Sequence, residues 1–471
     1  MIFATEIVAM TLEICASYLL SPFFGTSNSV WTGIIGVILL SNSIGNYIGG
    51  KIAVKHGTKY IRMIFAISAL LIFVILKING YISSLFALMS NNTLGALLDC
   101  FVLLLPVEIC LGTIPPQVMK NESDVSSDNI GLVYMMSTVG GLVGTFAGGY
   151  LMIPITGCNI TVFTCGIVIL LLAIGKIENS THVASLIGAI VLSVISLVGL
   201  FQNPNSIYDE SPTKVYDTQY NRVVVVNGTE NGYPVKYMAM AQGFQSATYL
   251  DEDKRNDIVF EYLKDFDYII KQFKGQDVDI LMIGGAAYQF PKYFLAHYGE
   301  NATINVVEID EQVTQIAKDE FFLQDAIDKF GNERITLTNE DAKTYIAREN
   351  KQYDIVFNDA FSGRTPIRTL TTLEAIQQIK SILKEDGLYV INAIGTFDHE
   401  RSEFIKAEMN TLAQEFNYVY LQRCKDLEED ELTNFMIVAS DMPLEYDNDY
   451  IDYSNGIILT DDYCPVDRLC E

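Results

Sequence analysis

Seven apolar stretches crowd the first 201 residues, near 2–20, 31–50, 61–77, 94–114, 130–153, 161–176 and 183–201. Each approaches the ~20 residues a helix needs to cross a bilayer. This portion holds only 7 Lys/Arg and 8 Asp/Glu, whereas residues 202–471 hold 24 and 49. An α-helical multi-pass membrane bundle over 1–203, followed by an acidic soluble portion, is therefore expected. The first stretch lacks a basic leading region and an A-x-A-like cleavage site, so it reads as a span and not as a signal peptide. Gly33, Gly36, Gly45, Gly49 and Gly50 in the second stretch, and Gly140, Gly141, Gly144, Gly148 and Gly149 in the fifth, supply the small faces that let helices meet closely in lipid. Glu6, Glu13, Asp99 and Glu108 lie inside stretches where an acid is costly; they mark a functional site or a polar bundle interior, or they pair near the interface.

Two signals conflict on orientation. Lys51, Lys55, Lys59 and Arg62 form the strongest positive cluster, which belongs on the cytoplasmic side. Seven spans then place the soluble portion outside, away from cytosolic nucleosides. A further half-span at 81–92, or one re-entrant segment, restores a cytoplasmic domain, and that arrangement at the cell membrane is the expectation.

The polar, Pro-containing stretch 204–214 reads as a linker. Short alternating segments follow at 220–226, 235–241 and 247–250, set apart by Asn227-Gly228, Asn231-Gly232 and Gln242-Gly243, which predicts a small antiparallel β-unit within 215–273 that ends in a helix over 256–273. From 274 to 471 strands alternate with helices. Strands are expected at 280–283, 304–307, 334–338, 353–358, 387–393, 417–422 and 434–439, with helices at 286–298, 311–323, 341–349, 371–384 and 398–416. That alternation specifies α/β, a doubly wound, mostly parallel, Rossmann-like sheet, the class that methyltransferase-type domains share.

Ligands of such sheets bind beyond the carboxyl ends of the strands. Gly284-Gly285 end the first strand, and Glu308 ends the second, 24 residues after Gly284 and near the ~20-residue spacing of a ribose-binding acid. Glu340-Asp341 and Asn358-Asp359 end the next two. The turn GGAAYQ lacks the third glycine of the dinucleotide fingerprint, so a nucleoside without a pyrophosphate, such as an S-adenosyl sulfonium, fits better.

Taken in order, MIGGAAYQFPKYF, NVVEID, NEDAKTYI, YDIVFNDAFSG and LTTLEAIQQIKSILKEDGLYVIN resemble the motifs of spermidine synthases, the polyamine aminopropyltransferases, over nearly all of 215–440. WTGIIGVILLSNSIGNYIGG and GLVYMMSTVGGLVGTFAGGYLMIPITG resemble the spans fused to one branch of that family. The resemblance implies that Gly284 and Gly285 face the sulfonium nucleoside, that Glu308 binds its ribose, and that Asp341 accepts from the adenine amino group. It also implies that Asp359 orients the attacking amine and takes its proton. Asn221 stands where soluble members have Gln, and Ala287 and Ser362 stand where they have acids. Tyr288 and Ser362 are expected near the substrate. Asp461 and Asp462, in LTDDYCPVDRL, are expected to return to the crevice and replace some of the missing charge.

The implied co-substrate is decarboxylated S-adenosylmethionine or S-adenosylmethionine itself, with no metal, since a sulfonium already leaves readily. Expected partners are a small-molecule amine, the lipid bilayer and a second copy of the chain. The net charge of −26, with 14 acids against 2 bases over 425–471, disfavours nucleic acid. The eight cysteines form no C-x-x-C and imply neither metal site nor disulfide framework. Methyl transfer or elimination on the same sheet stays open, as does a transporter or sensor that binds nucleoside or polyamine without turnover.

Overall fold

The computed structural model describes residues 1–471 except 26–27, 90–91, 122–126, 178, 201–211, 241–242, 332, 363–364, 397–401, 425–431, 447–448 and 471. The chain divides into two compact units, Met1–Val224 and Val225–Glu471.

The first unit is helical. Five helices are long and apolar enough to cross a membrane: Ile2–Phe24, Val30–His56, Ile61–Phe86, Gly131–Thr156 and Ser180–Val198. The fourth apolar stretch is broken, with Thr93–Leu103 and Leu105–Lys120 meeting at 47°. Pro106 opens the second piece, where its missing N–H costs no helix bond. The sixth is Cys158–Ala173, 16 residues long. Residues 81–86 extend the third helix, and no separate half-span forms there among the described residues. Glycines let backbones touch: a Cβ on Gly45 would lie 2.6 Å from the Ile109 carbonyl oxygen, and one on Gly144 would lie 2.3 Å from that of Ile7.

The expected linker lies outside the described residues up to Ser211, and Pro212–Asp217 is a strand that the sequence reading did not foresee. It opens a four-stranded sheet with Arg222–Glu230, Tyr233–Met240 and Gly243–Tyr249, paired in chain order. Asn227-Gly228, expected as a turn, is carried inside the second strand. The real turn is Asn231-Gly232, with φ of 53° and 82°, the paired positive values of a two-residue hairpin loop matched to strand twist.

In the second unit, helix α1 (Glu261–Phe273) leads into a seven-stranded sheet: β1 Asp279–Ile283, β2 Thr303–Glu308, β3 Ile335–Asn339, β4 Tyr353–Asn358, β5 Leu383–Gly395, β6 Tyr418–Arg423 and β7 Thr433–Ser440. The order is β6-β7-β5-β4-β1-β2-β3. β1 pairs in parallel with both β2 and β4, and β7 is antiparallel between β5 and β6. Alternate residues of each central strand enter opposite cores. Ile280, Met282, Ile355 and Phe357 pack with Phe266 of α1, whereas Leu281, Ile283 and Val356 pack with Ile376, Ile379 and Ile405. Burial on both faces explains why these strands are continuous apolar runs. The strand order reverses between β1 and β4, so the crevice opens beyond Ile283 and Asn358.

Candidate active site

Gly284 and Asp359 are the first residues past the ends of β1 and β4, and both stay tied to the sheet. The Gly284 N–H donates to the Val307 carbonyl and that of Asp359 to the Ile283 carbonyl, each at 2.9 Å. Gly284 has φ of 91°, and a Cβ there would sit 2.5 Å from the Asp359 carbonyl oxygen. Only glycine meets both demands. Gly285 is small for another reason, since a Cβ would lie 2.6 Å from the Tyr288 ring, which folds back beneath the turn.

Glu308 closes the turn from the neighbouring strand. Its Oε2 accepts from the amides of Gly285 at 2.9 Å and Ala286 at 3.3 Å, and its Oε1 accepts from that of Asp310 at 3.0 Å. Burial pushes the carboxyl upward, and the three amides pull it part of the way back. A carboxylate offers about four lone-pair sites, so one on Oε1 remains for a sugar hydroxyl. Asp341 is exposed and caps the helix Ala342–Arg348, accepting from the Thr344 amide at 2.9 Å.

Asp359 is held from two sides. Its Oδ2 accepts from the Tyr262 hydroxyl at 3.0 Å, and its Oδ1 accepts from Asn392 Nδ2 at 2.7 Å. The Asn392 amide oxygen in turn accepts from Asn434 Nδ2 at 2.9 Å. Burial raises the Asp359 carboxyl to about 7 although both hydrogen bonds oppose the rise. One turn beyond Tyr262 on α1 stands Asp265, bonded to the Cys424 thiol, with its Oδ2 buried and without a hydrogen-bond partner.

Gly284, Gly285, Glu308, Asp341 and Asp359 thus share one edge of the sheet. Others fall elsewhere. Tyr288 is fully buried, and its hydroxyl is bonded to that of Thr314 at 2.7 Å, so it is a core residue closed to substrate. Asp461 does return to this rim, but its carboxylate is taken by Lys343 at 2.9 Å and Thr372 at 2.8 Å; Asp462 is exposed beside it. They therefore do not replace the charge missing at Ala287, itself fully buried. The Ser362 side chain lies outside the described residues. Asn221 belongs to the first unit, where its N–H donates to Thr218 Oγ1 and its Oδ1 is buried without a partner.

Sequence reasoning missed Tyr262, Asp265, Asn392 and Asn434. Asn392 carried a signal, being a polar residue inside the apolar run LYVINAIG of a central strand. Tyr262 and Asp265 carried none, since only packing of α1 on β4, with Phe266 stacked 3.7 Å from Phe357, brings Tyr262 to Asp359 and Asp265 one turn along the same helix.

The strand order and this edge are those of the methyltransferase-type α/β fold. Residues 257–429 match the spermine/spermidine synthase domain. The chain is 22% identical over 441 residues to polyamine aminopropyltransferase 2 of Aquifex aeolicus, covering 89% of this chain and 82% of that protein. It is 31% identical over 167 residues to the polyamine aminopropyltransferase of Vibrio vulnificus, covering 34% of this chain and 52% of that one. Among solved structures, a probable spermidine synthase from Corynebacterium glutamicum superposes with a TM-score of 0.42 at 20% identity, over 49% of this chain and 81% of its own. The spermidine synthase of Thermotoga maritima gives 0.38 at 15% identity, over 55% and 89%. The chain thus contains a spermine/spermidine synthase domain, and the relatives it matches are polyamine aminopropyltransferases, transferases of alkyl groups.

Proposed function

We propose that the chain is a membrane-anchored aminopropyltransferase that alkylates an amine with decarboxylated S-adenosylmethionine. Asp359 carries this reading: its buried carboxyl, raised to about 7, stands at the strand-order reversal on a residue whose main chain touches the glycine turn. An ammonium has no lone pair, so the amine must first lose a proton, and a carboxyl titrating near neutrality is suited to accept it. The neutral nitrogen then attacks the propyl carbon beside sulfur. The C–N bond forms as the C–S bond breaks, the electron pair stays on sulfur, and methylthioadenosine leaves. Glu308 holds the ribose through its remaining lone pair, and Asp341 accepts from the adenine amino group. Tyr262 and Asn392 fix the carboxylate of Asp359 in line with the carbon attacked.

Asp265 replaces the acids missing at 287 and 362 and holds the far ammonium of a diamine. In the full chain, product analysis after mixing with decarboxylated S-adenosylmethionine and putrescine is expected to yield methylthioadenosine, and Asp265→Asn is expected to raise the KM for putrescine about tenfold or more. Adenosylhomocysteine formed from S-adenosylmethionine would favour methyl transfer, and binding with no product would favour a sensor. An unchanged KM would release Asp265 from its role.

Exposed apolar side chains on the helices of the first unit, among them Leu39, Tyr150, Ile155 and Val194, support residence in a bilayer. We place the catalytic unit on the cytoplasmic side, where the sulfonium is made. A membrane-impermeant thiol reagent is expected to label Glu252→Cys above the parent chain only after cells are lysed; labelling in intact cells would put the unit outside.

A further inference from the structure

The first unit holds a second set of acids that alkyl transfer does not use. Glu108 lies on Leu105–Gly112, just past the 47° break. It is 1% exposed, and neither carboxylate oxygen has a hydrogen-bond partner. The helix Ile2–Phe24 packs against Leu105–Gly112, and its Glu13 and Glu6 act on Glu108 electrostatically. The same broken pair buries two further acceptors without partners, Asp99 Oδ1 and Gln117 Oε1. A buried carboxyl group with no hydrogen-bond partner is costly, and in apolar helices such a group marks a pathway or a ligand. Broken helices are where membrane-embedded sites form, because the interruption frees backbone and side-chain groups to face a bound ion.

The spacing selects the ligand. Glu6 and Glu13 are seven residues apart, so they share a helix face and stand about 10 Å apart along its axis. One metal ion, with bonds of ~2.0 to 2.6 Å, cannot bridge that distance, and among the described residues no three Asp, Glu, His or Cys are grouped to hold one. A flexible chain with ammonium groups at its ends can be held by a carboxylate at each. We propose that Glu108, Glu13 and Glu6 form a binding site for an alkyl polyammonium, separate from the amine site at Asp359; the choice of an amine rests on the function proposed above.

Equilibrium binding of radiolabelled spermidine to the full chain in detergent micelles tests this. Two classes of site are expected, one weakened by Asp265→Asn and the other weakened at least tenfold by Glu108→Gln, with the losses adding in the double variant. Glu13→Gln, at a half-buried position, is expected to weaken the same class and serves if Glu108→Gln does not fold. Sodium at the same concentration is expected not to compete. Spermidine binding unchanged in both Glu108→Gln and Glu13→Gln, or full displacement by sodium, overturns the proposal. Loss of binding in these variants from a chain that makes no methylthioadenosine would leave this site standing while the transferase reading falls.

Discussion

Replacing Asp359 by Asn is expected to lower turnover at least ~10²-fold, the low end for a positioned acid or base, and to leave nucleoside affinity nearly unchanged. The side chain keeps its shape and loses only its charge and its capacity to take a proton. Methylthioadenosine release measures the first effect and calorimetry the second; undiminished turnover would remove Asp359 from the chemistry. The parent enzyme should gain activity as pH rises through about 7, where Asp359 deprotonates. Stability should run the other way. The folded carboxyl titrates above its unfolded value, so its favourable contribution is complete below pH ~4 and is lost as pH rises through about 7. Asp359→Asn should therefore raise the Tm more at pH 8 than at pH 5. A residue that burdens the fold while ionised at neutral pH is placed there for function.

Replacing Glu308 by Ala should weaken binding of methylthioadenosine by about ten- to a hundredfold, the equivalent of one charge-assisted contact at ~1.5 to 3 kcal/mol. The carboxylate holds two amides of the glycine turn and that of Asp310, so its loss removes the brace that shapes the turn and, in the proposed function, a ligand to the sugar. The effect should exceed that of Asp452→Ala, a change at an exposed acid remote in sequence from the strand ends. Equal affinities in calorimetry would show that Glu308 serves the fold alone.

The strands of the α/β unit were legible because each central strand is buried on both faces, so runs such as ILMI and DIVFN admit few other readings. The ends of those strands were legible for the same reason, since a glycine pair or an acid that stops an apolar run is conspicuous. What escaped depends on contacts between distant segments. Asn227-Gly228 looks like a turn locally, yet pairing with neighbouring strands keeps it extended. Tyr288 stands beside the glycines in sequence, but its positive φ of 54° turns the ring under Gly285 and into the core. Asp461 reached the expected rim and met Lys343 there, a partner that no spacing announces. Tyr262 and Asp265 arrive from a helix that precedes the first strand, carried by the stacking of Phe266 on Phe357.

The contact between Gly284 and the backbone of Asp359 also limits how such an enzyme can diversify. The turn proposed to read the nucleoside and the acid proposed to serve the amine touch through main-chain atoms, with less than a methyl group of slack. A side chain added at that seam displaces both at once, so neither can be retuned alone. Helix α1 is under no such constraint, because it brings Tyr262 to Asp359 from a separate element. A search for variants accepting longer or shorter amines is best spent on that helix, with the strand ends held fixed.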